Sequence, residues 1–452
     1  MSTSTEGAAG GPIMPLQRLF RLRDDILEER LEALLPQLME ECGVTMWIVI
    51  GDEYNEGPTV RSLLPSSFFH ARRKSLFIFV RDADSGIRRY VVSRPDFTID
   101  RFYTPVLLKP PGFDFETFYS TFATNYDLEA IRRMEPEDTW QCVARLVREH
   151  DPDSIAIESS STTAFADGLS RTNYELLVEA LDEPYRERLV SSEGLSVRWL
   201  ETRTDREIEL FTKVVARTRE IVRECYSRAV ITPGETTLGE ARFFLMERGY
   251  ELGMVPWFEA TLWARRPGHA HLDDDGTVIL PGDLLHCDVG FTYGGICSDI
   301  QEMAYVDNPG DPENHAVISR VRDIHATAAR FQDIAASQFR EGATGNQILT
   351  ATLAAAREAG IERPMIYTHP TGAFGHGPGP TIGTFGNQEF VEGTGEYRLH
   401  DRTCYALELN VREEMGPWDD LVVMYGQEID VVFRGGAVEF PAGRQEDVHI
   451  IR

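Results

Sequence analysis

Apolar and polar positions along the chain change period several times, and each change marks an element. Between Arg21 and Cys42, Leu27, Leu31, Leu34, Leu35 and Leu38 recur at helical spacing with acids between them, which predicts an amphipathic helix. MWIVIGDEYNEG follows as a buried-type strand running into a polar loop. SLFIFVRDADSGIRRYVVS reads as a hairpin, two β-rich runs around Asp84-Ser85-Gly86. PEDTWQCVARLVREH predicts a helix with Pro136 and Asp138 at its start, SIAIESS a short strand, and a further helix falls near Tyr174 to Leu181. Alternating strands and helices predict an α/β N-terminal domain over 15–199, after a disordered lead at 1–14.

A boundary falls near Trp199 to Arg206, and 200–452 reads as a second domain. LETRTDREIELFTKVVARTREIVRECYSRAV predicts a long helix with Ile208, Phe211, Val214, Val215 and Ile221 on its apolar face. Pro233-Gly234 breaks it, and TTLGEARFFLMERGYELG is a second helix, Thr at its start and Gly near its end. From Met254 the pattern turns strand-rich. Asn346 to Gly360 predicts one more helix, and the rest reads as strands and loops.

Within that strand-rich region, GDLLHCDVGFTYGGICSD carries two acids. A strand from Leu284 to Phe291, a turn at Tyr293-Gly294-Gly295 and a returning strand would set Asp288 and Asp299 side by side. Two such carboxylates repel unless a cation lies between them, and a metal pair needs about five ligands. His376 lies in FGHGPGPTIG, where glycines let backbone approach closely. Glu408 in CYALELNV and Glu428 in YGQEIDVVF stand in apolar, strand-like runs where a lone carboxylate is costly. Four carboxylates in predicted buried strands, with one imidazole, ask for a cation. Asp430 competes with Glu428, which spacing from Glu408 and the QEID pattern favour.

Composition narrows the function. The 452 residues are 42% hydrophobic and 26% charged, which fits a globular protein of two or three domains. The net charge of −28 disfavours nucleic acid and anionic membrane surfaces as partners. Six scattered cysteines without a CxxC, a small polar N-terminus and no apolar run near ~18 residues predict free thiols and a cytoplasmic protein. Asp273-Asp274-Asp275-Gly276 reads as an exposed turn, since no Glu follows at the spacing of a calcium loop.

Asp288, Asp299, His376, Glu408 and Glu428, in this order and spacing, resemble the ligand set of the pita-bread metallopeptidases. That family includes methionine aminopeptidases, Xaa-Pro aminopeptidases and prolidases. The resemblance covers roughly 200–452, and the first half resembles, on slighter grounds, the creatinase-type domain of the Xaa-Pro branch. It implies an α+β fold, a pita-bread catalytic domain preceded by a smaller α/β creatinase-type domain. It implies two divalent ions, Mn²⁺ foremost, with Co²⁺, Fe²⁺ or Zn²⁺ as other candidates. Asp288 would bind one ion, Asp299 and Glu428 would bridge, and His376 and Glu408 would complete the other. A hydroxide between the ions would attack a peptide carbonyl, with Glu408 shuttling its proton. His271, seventeen residues before Asp288, would contact the substrate, with His269 as its competitor. A homodimer is also implied.

The chain departs from that pattern at two positions. Gly383 stands seven residues after His376, where a second histidine is usual, and Gly426 stands two before Glu428, where an arginine is usual. His369 in YTHPTG either supplies an imidazole from another direction or caps a turn before Pro370, and Cys297 either packs or faces the site. The reading is therefore a hydrolase of Xaa-Pro aminopeptidase or prolidase type acting on a small peptide. The alternatives are a hydrolase of a non-peptide amide or small amidino substrate, and an inactive binding module.

Overall fold

The computed structural model describes residues 11–82, 86–93, 98–122 and 126–452. The chain forms two compact units, Gln17–Leu200 and Glu201–Arg452, the second joined by the segment ending at Leu16.

In the first unit, β1 (Met46–Asp52), β2 (Lys74–Asp82), β3 (Gly86–Val92), β4 (Thr104–Pro105), β5 (Ile155–Ile157) and β6 (Leu189–Ser191) form one sheet in the order β4-β3-β2-β1-β5-β6. β1 runs antiparallel to β2 and parallel to β5, a mixed α/β arrangement. The helix Thr139–His150 lays Cys142, Val143, Leu146 and Val147 on Ile48, Ile78 and Ile155. Its start is a reciprocal cap: Asp138 accepts from Trp140 and Gln141 N–H, and the Gln141 side chain accepts from Asp138 N–H. The expected first helix begins at Leu16 and takes one wider turn over Arg30–Leu34, just before Pro36, which has no N–H to continue the ladder. Two of the hairpin's turn residues, Asp84 and Ser85, lie outside the described residues, as do 1–10 of the expected lead. Met14, at the end of that lead, is buried. Its N–H donates to the Tyr293 hydroxyl at 3.1 Å, and its carbonyl accepts from the same hydroxyl at 3.0 Å.

The second unit carries β7 (Val255–Pro256), β8 (Thr261–Arg266), β9 (His269–Leu272), β10 (Leu284–Val289), β11 (Phe291–Tyr293), β12 (Ile296–Cys297), β13 (Ile300–Val306), β14 (Met365–Ile366), β15 (His369–Thr371), β16 (Thr403–Met415), β17 (Leu421–Arg434), β18 (Ala437–Glu439) and β19 (His449–Ile451). Its large sheet runs β14-β16-β17-β13-β10-β8-β9, and β12-β11-β7 form a small one. Helices Asp205–Cys225, Leu238–Glu251 and Gly345–Glu358 open on Thr204, Thr237 and Thr344, each in a capping box. The helix Asn314–Ser337 was not expected from the pattern. Its buried apolar stripe, Val317, Val321, Ile324, Ala328, Phe331 and Ala335, includes two alanines and shares its face with buried His325 and Gln332, so polar residues mask the period.

The predicted strand Leu284–Phe291 breaks at Gly290. A Cβ there would lie 2.2 Å from Trp257 Nε1 and 2.5 Å from the Ser298 carbonyl, so the chain leaves the large sheet and starts the small one. The tight turn at Gly294-Gly295 follows, both glycines at positive φ. Asp288 consequently pairs with Gln301, not with Asp299, which stands just before β13.

Behind β13, Glu302 is buried between a guanidinium and an imidazole. Arg219 Nε donates to its Oε1 at 2.9 Å, and His449 Nε2 meets its Oε2 at 2.6 Å. Burial pushes the Glu302 carboxyl up, but the His449 and Arg219 contacts outweigh it and hold the acid below its ordinary value. Arg219→Met leaves that buried charge short of its arginine partner. The expected loss is about 3–5 kcal/mol, a fall in Tm on the order of 10 °C by calorimetry; an unchanged melt would refute this account.

Candidate metal centre

Strand register assembles the site. Thr261 pairs with Asp288, Asp288 with Gln301, Gln301 with Glu428, and Glu428 with Glu408, one row across β8, β10, β13, β17 and β16. Directly paired residues share a sheet face, so the row presents three carboxylates to one side. A second row lies two residues along. His369 pairs with Ala406, Ala406 with Asp430, and Asp430 Oδ2 accepts the Asp299 N–H at 2.8 Å.

Three overlapping sets result, Asp288–Asp299–Glu428, His369–Glu408–Glu428 and Asp299–His369–His376, each with ligand atoms within 4.8 Å of one another. His369 Nε2 is 3.6 Å from both Asp299 Oδ2 and Glu428 Oε1. Asp299, His369, Glu428 and Asp430 are buried, whereas Asp288 and Glu408 are half-buried. Asp288 Oδ1, Asp299 Oδ1, Glu428 Oε1 and Asp430 Oδ1 are enclosed without a hydrogen-bond donor. Burial, and then the charge of Glu428, pushes the Asp288 and Asp299 carboxyls far above the usual range. Burial pushes Glu408 up to about 8, with Glu428 adding to it, and pushes Glu428 itself up to about 8. His369 is lowered by burial, and His376 falls to about 4 by burial and the neighbouring His369. Converging oxygens that lack donors, acids that resist ionisation, and imidazoles kept neutral fit a divalent cation.

Both imidazoles named from the sequence reach the cluster, but differently. His369 belongs to two of the three sets and is enclosed; His376 belongs to one and is exposed at the rim. His376 stands edge-on to Trp257 at 5.2 Å and to His369 at 4.5 Å. The preceding Gly375 cannot carry a side chain, since its Cβ would lie 2.3 Å from the Trp257 ring. His271 stands outside the three sets on β9, exposed, 5.4 Å from the Trp263 ring and 3.4 Å from Asp273. His269 is exposed opposite Arg266. Cys297 is buried, its thiol raised by burial to about 11 and hydrogen-bonded with Thr292, so it packs.

The two glycine departures have structural reasons. Gly383 has φ of +72°, and a Cβ there would sit 2.3 Å from the Ile366 carbonyl, so that backbone path excludes an imidazole. At Gly426 a Cβ would meet His286 Nε2 at 3.0 Å and Gln301 Oε1 at 3.1 Å. Those two side chains fill the room an arginine would need. Gln301 Nε2 donates to Glu428 Oε2 at 2.8 Å, and Gln301 Oε1 lies 2.9 Å from His286 Nε2. With the amide nitrogen donating to Glu428, the amide oxygen faces His286, which must donate through Nε2–H. Burial lowers His286 to about 4, which keeps it neutral, and it stacks on Trp263 at 4.3 Å and 14°. Gln301 and His286 were not singled out as site residues from the sequence, and Asp430 entered only as the competitor of Glu428. The available signal was the two-residue alternation Glu428–Asp430 and its partner row on β13.

Acids held protonated must release protons to bind a cation. Titrating Mn²⁺ into metal-free protein at pH 6.5 is expected to give heats that vary with the buffer's ionisation enthalpy. Glu408 and Glu428 titrate higher folded than unfolded, so their stabilisation is full below the unfolded value and lost as pH rises towards about 8. Metal-free protein should therefore melt lower at pH 8.5 than at pH 5.5. Buffer-independent heats would overturn the protonated cluster. Gln301→Met, which removes the donor to Glu428, should weaken Mn²⁺ binding by about 10–100-fold in the same titration.

Residues 209–434, half of the chain, match the profile of metallopeptidase family M24. Among solved structures the chain is similar to an Xaa-Pro dipeptidase from Bacillus anthracis, at 16% identity and TM-score 0.60, covering 94% of this chain and 100% of that one. It is similar to an X-Pro aminopeptidase from Thermotoga maritima MSB8 at 16% identity and TM-score 0.59, covering 92% and 100%. A dipeptidase, PepE, from Mycobacterium ulcerans gives 17% and 0.57 over 95% and 98%. No curated protein matches the chain. These likenesses establish the fold, a pita-bread domain of mixed helix and sheet with an additional N-terminal domain. With half of its length matched by the family profile and acidic and imidazole groups gathered at one centre, the chain belongs to metallopeptidase family M24.

Proposed function

We propose that the chain hydrolyses an amide bond near the N-terminus of a short peptide, as an Xaa-Pro aminopeptidase or dipeptidase-like enzyme using two divalent ions, Mn²⁺ foremost. The observation that carries this reading is the cluster of enclosed carboxylate oxygens without donors, in three sets that overlap through Asp299, Glu428 and His369. Overlapping sets offer more than one cation position. Asp288, Asp299, Glu408 and Glu428 would hold the ions, with imidazole from His369 and His376. When bound, such ions let the acids ionise, acidify a water and polarise a carbonyl.

The chain's own residues supply the rest. Glu408 is half-buried and raised to about 8, so it can take a proton from water and return it to the leaving nitrogen near neutral pH. The Gln301 amide holds the far oxygen of Glu428, which leaves its Oε1 aimed at the cluster. Exposed His271 is free to face substrate on the same side as Trp263.

A second reading rests on Gly383 and Gly426. The side chains usual at those positions are missing, and this favours a non-peptide amide or amidino substrate on the same centre. A panel of Xaa-Pro peptides beside N-acyl and guanidino compounds, on Mn²⁺-loaded protein, separates the two by which class turns over. Glu408→Gln should lower kcat by about 10²–10⁴-fold while the melt persists and bound metal is assayed alongside. Full activity in that variant would remove the proton shuttle from Glu408, and protein that takes up no divalent ion would point to a binding module instead.

A further inference from the structure

Four arginines of the described residues are buried, and three have evident acceptors. Arg30 donates to the Trp199 carbonyl, Arg203 to Glu207, and Arg219 to Glu302. Arg265 is the exception. It is 8% exposed, its Nε is enclosed without an acceptor, and among the described residues no carboxylate or carbonyl pairs with its guanidinium. Its one recorded contact is aromatic, Cζ lying 4.6 Å from the centroid of the Trp263 ring. The chain carries 73 acidic residues against 45 basic ones, so the missing partner does not reflect scarce acids.

The register places this cation. On β8, Thr261, Trp263 and Arg265 alternate onto one face, opposite Asp288, His286 and Leu284 of β10. That is the face of the carboxylate cluster. Arg412 stands on the same face of β16, since Glu408, Asn410 and Arg412 alternate as well, and it is exposed. Its charge bears on Arg265, whose guanidinium is lowered to about 10 by burial and then by Arg412, and so remains a cation at neutral pH. Two cations on the sheet face that carries the acidic centre, one buried without a hydrogen-bonding partner, form a place prepared for an anion. The Trp263–His286 row over which the guanidinium lies is two strand residues from the Thr261–Asp288 row, about 7 Å. Two extended peptide residues span about 7 Å as well.

We propose that Arg265, supported by Arg412, anchors a substrate carboxylate, either the C-terminus or an acidic side chain of a short peptide whose scissile bond lies at the carboxylate cluster. This rests on the peptidase reading above. A planar guanidinium backed by an indole ring offers two parallel N–H donors, which suits a carboxylate better than any neutral group. It predicts an enzyme that prefers short free peptides over the interior of long chains, because the anchor lies only a few residues from the cut.

The test uses the full chain loaded with Mn²⁺ and three probes: Ala-Pro-Ala, its C-terminal amide, and Ala-Pro-Asp amide. The free acid should exceed Ala-Pro-Ala amide by about tenfold or more in kcat/KM, chiefly through KM. Arg265→Met should collapse that ratio towards one, and Arg265→Lys, which keeps the charge and the fold but loses the fork, should lower it part of the way. Should Ala-Pro-Asp amide match the free acid, a side-chain carboxylate is the natural ligand; should only the free acid be favoured, it is the C-terminus. A ratio near one in the parent protein, or one unmoved in both variants, overturns the anchor. Calorimetric titration of Pro-Ala and Pro-Ala amide needs no turnover. Acid-selective binding that depends on Arg265, in protein that cleaves none of the peptides, sustains the anchor while sinking the peptidase reading; peptide cleavage with equal binding of acid and amide does the reverse.

Discussion

Carboxylates held on one face of a sheet, shielded from water, repel one another, and that repulsion governs the structure around them. The fold does not relieve it internally. It supplies the Asp299 N–H to Asp430 and the Gln301 amide to Glu428, and leaves one oxygen on each of four acids without a donor. An apolar pair of side chains in those rows would be cheaper for the fold alone. The register of β10, β13, β17 and β16 therefore serves a ligand, and the neighbouring glycines serve the register. Gly375 admits Trp257, Gly290 lets the chain leave the sheet, and Gly426 admits His286 and Gln301.

The same constraint explains how this chain departs from its family while remaining in it. Replacing a long cation beside Glu428 with a neutral His286–Gln301 pair changes what steadies the glutamate, not which acids meet. A cation there would offset the repulsion in part; a neutral amide does not, so the cluster retains its full demand for metal. The backbone at Gly383 excludes a side chain there, and positive charge is found instead on β8, at Arg265.

Much of this was legible in the residues. Acids inside apolar runs at Asp288, Glu408 and Glu428 announced a buried centre, because nothing else makes such positions tolerable, and the capped helix at Thr237 announced itself by local chemistry. What remained hidden was nonlocal. Asn314–Ser337 buries His325 and Gln332 beside its apolar stripe, so its period does not show. Gln301 looks like an ordinary strand amide until register sets it between Asp288 and Glu428. His369 and His376 are equivalent as letters; only the pairing of His369 with Ala406 on β16 decides which imidazole lies inside and which at the rim. The gap at Gly290 follows from Trp257, a residue far enough away in sequence that no window on the strand could include it.

The row Asp288–Gln301–Glu428–Glu408 also has a consequence for how the chain reaches its native state. Its members come from distant parts of the sequence, so the centre exists only after β17 has docked on β13, a long-range pairing of the kind that slows folding. That docking brings the acids of the row together. Divalent cation, or mild acid, should then act on the rate of assembly as well as on the finished fold, so that metal supply during synthesis governs how much chain matures before exposed strands find one another.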